Sequence, residues 1–232
     1  MQVGQRTDVV VEANEDSDTV YWMRSVIASG GCTEPSIQPL ALAAIYYEKA
    51  NTSALPTLSN STVQSAVSDN CTDDSFLKTT PAYAIPAIEP STTLHMEVNV
   101  TVNSTGNLIW IINKSSFRGN LNHPLLLLAN MGNVSYPGNP EWNVYNVGSN
   151  ETIRAVIRNV GTTSHPWHLH GHPMQILSAG AGDWDGAVVN GENPMRRDVQ
   201  LLPAQGYLVS PATNAHAGML LIYHVVGGAV DK

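Results

Sequence analysis

Residues 165–172 read His165-Pro166-Trp167-His168-Leu169-His170-Gly171-His172, and the interpretation of the whole chain starts from them. This stretch holds four of the eight histidines in the chain. Alternate side chains of an extended strand share a face, so His168, His170 and His172 are predicted to point one way while His165 can point another. Neighbouring neutral imidazoles suit copper or zinc. The stretch predicts a metal site, with adventitious metal binding or a plain surface position as the alternatives.

The overall composition limits the possible functions. The 232 residues are enough for one large or two small domains. Charged residues make up 13%, the formal net charge is -8, and no nucleic-acid-binding motif is present, so we expect no nucleic-acid partner. No apolar run approaches the length that spans a membrane, so we expect no membrane association.

Several features favour a secreted protein. The two cysteines, Cys32 and Cys71, fit one disulfide in an oxidising compartment or, alternatively, two buried thiols. Residues 1–6 lack the pattern of a signal peptide, so we expect a mature piece or a sequence without its natural N-terminus. Asn-x-Ser/Thr sequons predict glycosylation, unless a composition rich in Asn, Ser and Thr produced them by chance. They begin at Asn51, Asn60, Asn70, Asn99, Asn103, Asn113, Asn133 and Asn150.

The hydrophobic pattern is typical of an all-β protein. Residues 40–47 are compatible with a helix, but the β-rich ending Ile45-Tyr46-Tyr47 favours a strand. Residues 50–90, rich in Asn, Ser, Thr and Pro, predict a connecting segment, with short helices possible around 61–69 and 73–77. Many short strands with spaced turns predict a Greek-key sandwich or barrel. The predicted strands cover residues 8–13, 21–27, 40–47, 92–102, 108–112, 145–147, 152–160, 168–178 and 200–209.

The stretch 165–172 matches the His-Pro-x-His-Leu-His-Gly-His signature of the multicopper oxidases. Other segments are similar to fungal laccases: 182–186 and 193–199 to their last domain, and 3–9, 21–24 and 31–32 to their second domain. The chain therefore resembles a laccase of ascomycete type over nearly its whole length. The resemblance implies cupredoxin-like domains, with residues 1–80 as the end of a second domain plus a linker and 81–232 as the third. It also implies that a first domain is missing.

The resemblance further implies copper as cofactor, with phenols and dioxygen as substrates. By this likeness His165 is expected to bind the mononuclear, electron-accepting copper. His168 is expected to bind the single copper of a trinuclear cluster, and His170 one of its paired coppers. His224 matches the last histidine of the family, whereas His172 resembles a group that supports the ligands. The disulfide Cys32–Cys71 fits the second domain of such laccases.

The sequence departs from the family before His224. Where the family has His-Cys-His, residues 218–220 read Gly-Met-Leu if the two are aligned without a gap; with a gap, the triplet is deleted. In either case a thiolate ligand and two imidazoles are missing. No catalytic residue is assigned for this reason. We expect a laccase-like oxidase that is inactive as this partial chain. The alternative is a secreted cupredoxin-like module that binds metal without redox turnover.

Overall fold

The computed structural model describes residues 4–6, 10–26, 37–38, 40–56, 80–132, 139–146, 152–213 and 219–221. These residues form strands connected by turns, together with one α-helix, α1 (Leu125–Asn130), and one 3₁₀-helix (Pro140–Trp142). The strands are β1 (Val20–Val26), β2 (Leu40–Tyr46), β3 (Thr92–Val102), β4 (Leu108–Ile112), β5 (Val144–Asn146), β6 (Thr152–Asn159), β7 (His165–His168), β8 (Met174–Ile176), β9 (Ser178–Ala181), β10 (Met195–Arg197), β11 (Val199–Leu202), β12 (Gly206–Thr213) and β13 (Met219–Leu221).

The chain divides into two compact units. One unit is Thr7–Thr72, and the other is Met1–Arg6 together with Asp73–Lys232. In the smaller unit β1 and β2 form an antiparallel pair, which confirms that residues 40–46 are a strand and not a helix. The predicted boundary near residue 80, and the assignment of residues 1–80 and 81–232 to second and third cupredoxin-like domains, stay predictions.

A five-stranded sheet organises the larger unit. Its strand order is β4-β3-β6-β12-β9, with β3 and β6 parallel and the other neighbours antiparallel. Smaller pairs, β7 with β11 and β8 with β10, supply the opposing side chains of the core. This two-layered, all-β arrangement confirms the predicted cupredoxin-like fold class.

The alternation along β3 shows why these residues form a half-buried strand. Leu94, Met96 and Val98 face the core, whereas His95 and Glu97 are exposed. The core that they join contains side chains of both layers: Met96, Val98, Ile112, Ile157, Trp167, Leu169, Met174, Ile176, Met195, Leu202 and Leu208. Burying such side chains stabilises each position by roughly 1.5–3 kcal/mol.

Three predicted strands need correction. Residues 10–13, the described part of the strand predicted over 8–13, are not a strand. No strand among the described residues pairs with them, and Val10 and Val11 are exposed. The strand predicted over 168–178 is divided into β7, β8 and β9. Gly171, at φ +77°, turns the chain there, in a backbone region that favours glycine.

The strand predicted over 200–209 is also two strands, β11 and β12. Pro203, which has no N–H for a ladder bond, and Gln205, at φ 45°, separate them. Helix α1 follows Pro124 and had not been predicted. The short helices predicted around 61–69 and 73–77 lie outside the described residues. Within the described ranges, no helix is long and apolar enough to cross a membrane.

We expect the free energy of unfolding to depend strongly on Ile157, which is fully buried in the central strand β6. Ile157→Ala should lower it by about 2–5 kcal/mol, because the truncation loses apolar burial and leaves a cavity. Leu108→Ala, at an exposed position of β4, should change it by less than about 0.5 kcal/mol. Urea unfolding of both variants measures the difference, and equal losses would contradict this account of the core.

Candidate metal centre

Strand β7 holds the start of the histidine stretch against the core. It pairs antiparallel with β11, so that His165 lies opposite Leu202 and His168 lies opposite Val199. Trp167 and Leu169 are buried in the core cluster, whereas His168 is only partly buried and His170 is exposed. The two apolar side chains therefore anchor the segment and direct the alternating imidazoles away from the core.

The imidazoles of His168 and His170 lie next to each other. Their ring centroids are 4.7 Å apart and their planes are inclined by 64°. His168 Nδ1 lies 2.8 Å from the backbone oxygen of Asp198, which can only accept, so Nδ1 carries the proton. Nε2 of His168 is then the nitrogen whose lone pair can bind a metal. A carbonyl partner on the second nitrogen is the usual support of a metal-binding histidine.

Asp198 contributes to this pair in two ways, and the sequence had assigned it no role. Besides its backbone contact, its Oδ2 lies 3.6 Å from His168 Nδ1. The same carboxylate forms an ion pair with Arg6, whose guanidinium also donates to the Gly4 backbone oxygen at 2.9 Å. Residues near the start of the chain are thus brought to the histidine stretch. Asp198 contacts His168 through its backbone oxygen. Every residue has such an oxygen, so a sequence motif could not have identified Asp198 as the partner.

His172 does not share the extended geometry that had been predicted for it. Strand β7 ends at His168, and the turn at Gly171 lies between His170 and His172. His172 Nδ1 donates to the backbone oxygen of His170 at 3.3 Å. This contact supports the turn that carries His170.

A cleft of about 440 Å³ includes His172 of the histidine stretch and Asp198, and it is lined by Arg6, Gly171, His172, Pro173, Arg196, Arg197 and Asp198. Three guanidinium groups face one carboxylate in this lining. The Arg6–Asp198 ion pair uses one of them, and Arg196 donates to the Tyr83 backbone oxygen at 2.9 Å. The lining of this cleft is therefore polar, with more guanidinium groups than carboxylates.

His165 lies on the other side of β7. Its ring stands edge-on to Trp110, with centroids 4.2 Å apart and planes at 89°. Burial lowers the pKa of His165 from 6.5 to about 4, because the charged ring is poorly solvated there. The imidazole is thus neutral at ordinary pH, which is the form that binds metals.

The donor chemistry fits copper in part. His168 and His170 offer adjacent imidazoles, and His165 offers a third, neutral imidazole at a separate position. Within the described ranges, no group of three or more His, Cys, Asp or Glu side chains is placed to hold one metal ion. His224 lies outside those ranges, so its predicted role as a ligand is not tested. Two imidazoles form an open site, and a closed one needs further ligands.

The lowered pKa of His165 predicts how stability of the metal-free protein depends on pH. Between pH ~6.5 and ~4 the unfolded chain binds a proton that the folded chain does not, so the free energy of unfolding falls as pH decreases through this window. His165→Leu should reduce this loss, whereas His123→Leu, at an exposed site, should leave it unchanged. Urea unfolding at several pH values measures both effects, and an undiminished loss in the His165 variant would contradict the prediction.

The chain is similar to known oxidases in sequence. The family described as "Multicopper oxidase" matches residues 113–224. Laccase-2 of Podospora anserina is 30% identical over 254 residues, which cover 98% of this chain and 40% of that protein. Laccase-1 of Botryotinia fuckeliana is 32% identical over 218 residues, which cover 90% of this chain and 36% of that one. The chain thus spans well under half the length of these relatives.

Comparison of the fold with solved structures also finds a laccase. The crystal structure of the laccase from Botrytis aclada matches with a TM-score of 0.67 and 26% identity, covering 87% of this chain and 36% of the other. This likeness extends over most of the chain and is to an all-β protein, as the fold of this chain is. Copper is the cofactor that these relatives imply. By its sequence and fold, this chain belongs to the multicopper oxidases and is similar to a part of the fungal laccases.

Proposed function

We propose that this chain is part of a laccase-type oxidase, which oxidises phenols and passes the electrons to dioxygen to form water. The main support is the adjacent pair of His168 and His170, with His168 oriented by the Asp198 backbone oxygen. This pair lies inside the segment that matches the multicopper oxidases. Two adjacent imidazoles in this arrangement are suited to binding copper.

The proposed ligands fall into two groups. His165, and His224 by resemblance, would hold a mononuclear copper, and His168 and His170 would contribute to a trinuclear cluster. Bound copper would supply one-electron chemistry, because its potential is tuned by its ligands. The protein contributes the orientation and tautomer of His168 and the neutral form of His165. Asp198 keeps the proton on Nδ1 of His168, and the half-buried surroundings of His165 keep that ring neutral.

The ligand set within this sequence is incomplete. A strongly absorbing mononuclear copper needs a cysteine thiolate beside two imidazoles. The only cysteines are Cys32 and Cys71, and none lies between residue 72 and residue 232. We therefore propose that this chain alone does not turn over phenols. The second candidate is a metal-binding module without redox turnover, which the open imidazole pair supports.

We also propose that the protein is secreted, glycosylated and carries a Cys32–Cys71 disulfide. Both cysteines lie outside the described residues, as do the sequons at Asn60, Asn70, Asn133 and Asn150. The described sequons differ in their surroundings. Asn51 is exposed in a turn, and Asn103 uses its side-chain oxygen as a turn acceptor.

The proposed metal pair predicts measurable copper binding. Calorimetric titration with copper(II) should detect weak binding, and His168→Ala/His170→Ala should weaken it by about tenfold or more because both imidazoles are removed. Lowering the pH should also weaken it, because protons compete with the metal for the ring nitrogens. The matched control is His95→Ala/His123→Ala, two exposed histidines outside the motif. It should bind as the parent does.

Two readouts separate the candidates. Copper-loaded chain should lack the intense thiolate band at about 600 nm and should not oxidise a phenol. A band with phenol oxidation would show that a cysteine completes the site, and the proposed inactivity would be wrong. Equal copper binding by the parent and the His168/His170 variant would reject these imidazoles as a metal site.

The described sequons predict a pattern of glycosylation in a secretory host. Asn113 Nδ2 donates to the His95 backbone oxygen at 3.3 Å and to the Tyr145 hydroxyl at 3.2 Å. A glycan attached at Asn113 would replace one of the two Nδ2 hydrogens, and it would have to occupy the position of the oxygen that accepts that hydrogen. Glycopeptide mass spectrometry of the folded protein should therefore find glycans at Asn51 and Asn103 but an unmodified Asn113. High occupancy at Asn113 would contradict its place in this network.

A further inference from the structure

The outer face of the five-stranded sheet carries a second cleft, of about 340 Å³, away from the histidine pair. Its lining includes His95 and Glu97 of β3, Arg158 of β6 and Tyr207 of β12. Asp183 and Trp184, in the loop after β9, complete it. Because side chains alternate along a strand, this face is opposite to the one that holds the core residues of β3 and β6.

The strand register places the polar groups of this cleft in a row. Glu97 lies directly opposite Arg158 in the parallel pair of β3 and β6, and Tyr207 lies opposite Arg158 in the antiparallel pair of β6 and β12. The Arg158 guanidinium also forms an ion pair with Asp183. Backbone ladders thus set the spacing between acceptors and donors before any ligand arrives, which lowers the cost of binding.

The two aromatic rings are held by hydrogen bonds. Trp184 Nε1 donates to the Ala187 backbone oxygen at 2.7 Å, and the Arg154 guanidinium lies 5.8 Å from the Trp184 ring centre. The Tyr207 hydroxyl lies 3.2 Å from Ser178 Oγ. These contacts keep both rings at the cleft with little freedom to turn away.

The charges of the lining narrow the chemistry of the ligand. The lining holds the carboxylates of Glu97 and Asp183 and the guanidinium of Arg158. With the Arg154 guanidinium beside the Trp184 ring these charges are close to balance, so a neutral ligand needs no counter-charge. In the described part of the chain, no three acidic, histidine or cysteine side chains are placed to hold a metal ion. The Arg158 side chain is 41% exposed, so its guanidinium can be reached by a ligand while it pairs with Asp183.

We propose that this cleft binds a neutral saccharide. The carboxylates of Glu97 and Asp183 accept from hydroxyl groups, and Arg158 donates to ring or hydroxyl oxygens. Trp184 and Tyr207 offer amphipathic rings for the C–H face of a sugar. A neutral ligand with many hydroxyl groups matches this combination of acceptors, donors and aromatic rings without adding net charge. The proposal does not depend on the oxidase function.

Calorimetric titration of the full chain tests this, with cellobiose and N,N′-diacetylchitobiose as neutral probes. Glucuronate is the anionic control, and phenol is the aromatic control. At least one neutral sugar should bind, and more tightly than either control. Trp184→Ala should weaken that binding by about tenfold, because it removes the aromatic face, whereas Trp184→Phe should retain most of it.

Glu97→Gln provides a second variant that preserves shape and should weaken binding several-fold, because a charged acceptor becomes a neutral one. Glu192→Gln, an exposed carboxylate in a turn away from the lining, should bind as the parent does. Binding by neither sugar overturns the proposal, as does preferential binding of glucuronate or phenol. Sugar binding that is unchanged in both Trp184→Ala and Glu97→Gln also overturns it, because the sugar would then occupy another place.

Discussion

The burial of Trp167 and Leu169 is the constraint on which the histidine stretch depends. Both side chains join the core between the five-stranded sheet and the smaller strand pairs. Alternation along the backbone then leaves His168 and His170 on the opposite side, where their rings meet at 4.7 Å. Apolar burial of Trp167 and Leu169 thereby holds the rings of His168 and His170 next to each other, although the two rings attract each other only weakly. In this sense packing of the core sets the positions of the two imidazoles in advance.

The same strand supports two different electrostatic environments. His168 is oriented by Asp198, whose carboxylate is paired with Arg6. His165 contacts Trp110, and its pKa is lowered because burial penalises the charged ring. A hydrogen bond therefore sets the orientation and tautomer of His168, whereas desolvation sets the pKa of His165. Burial keeps His165 in the neutral form that binds metals, and the Asp198 backbone oxygen leaves Nε2 of His168 as the nitrogen with the available lone pair. Both features are consistent with copper as the cofactor of the family.

The five-stranded sheet of the larger unit has an apolar inner face and a polar outer face. Its inner face contributes Met96, Val98, Ile157 and Leu208 to the core. Its outer face carries Glu97, Arg158 and Tyr207 in one row across three neighbouring strands. The period of two along each strand produces both patterns at once. A mutation on the outer face can therefore alter the second cleft while leaving the apolar core intact.

The strands that could be predicted are those with long, regular alternation. Residues 92–102 and 108–112 form β3 and β4 over the predicted ranges. Along most of β3 one side is buried and the other is solvated, which produces the alternation in its sequence. The predictions of one continuous strand over 168–178 and another over 200–209 were wrong, because each range is divided into shorter strands. There the apolar pattern continues across turns at Gly171 and Gln205, and the hydrophobic pattern does not report the backbone dihedral angles that divide the strands.

By itself, the sequence determined the fold class, the family and the identity of His165, His168 and His170 as candidate ligands, because these follow from local periodicity and a dense motif. Only the tertiary structure decided that Asp198 orients His168, that Arg6 reaches Asp198, and that Trp110 shields His165. It also decided that Glu97, Arg158 and Asp183 meet on one face. These contacts join residues far apart in the chain, and they depend on strand order and register, which a local pattern does not encode.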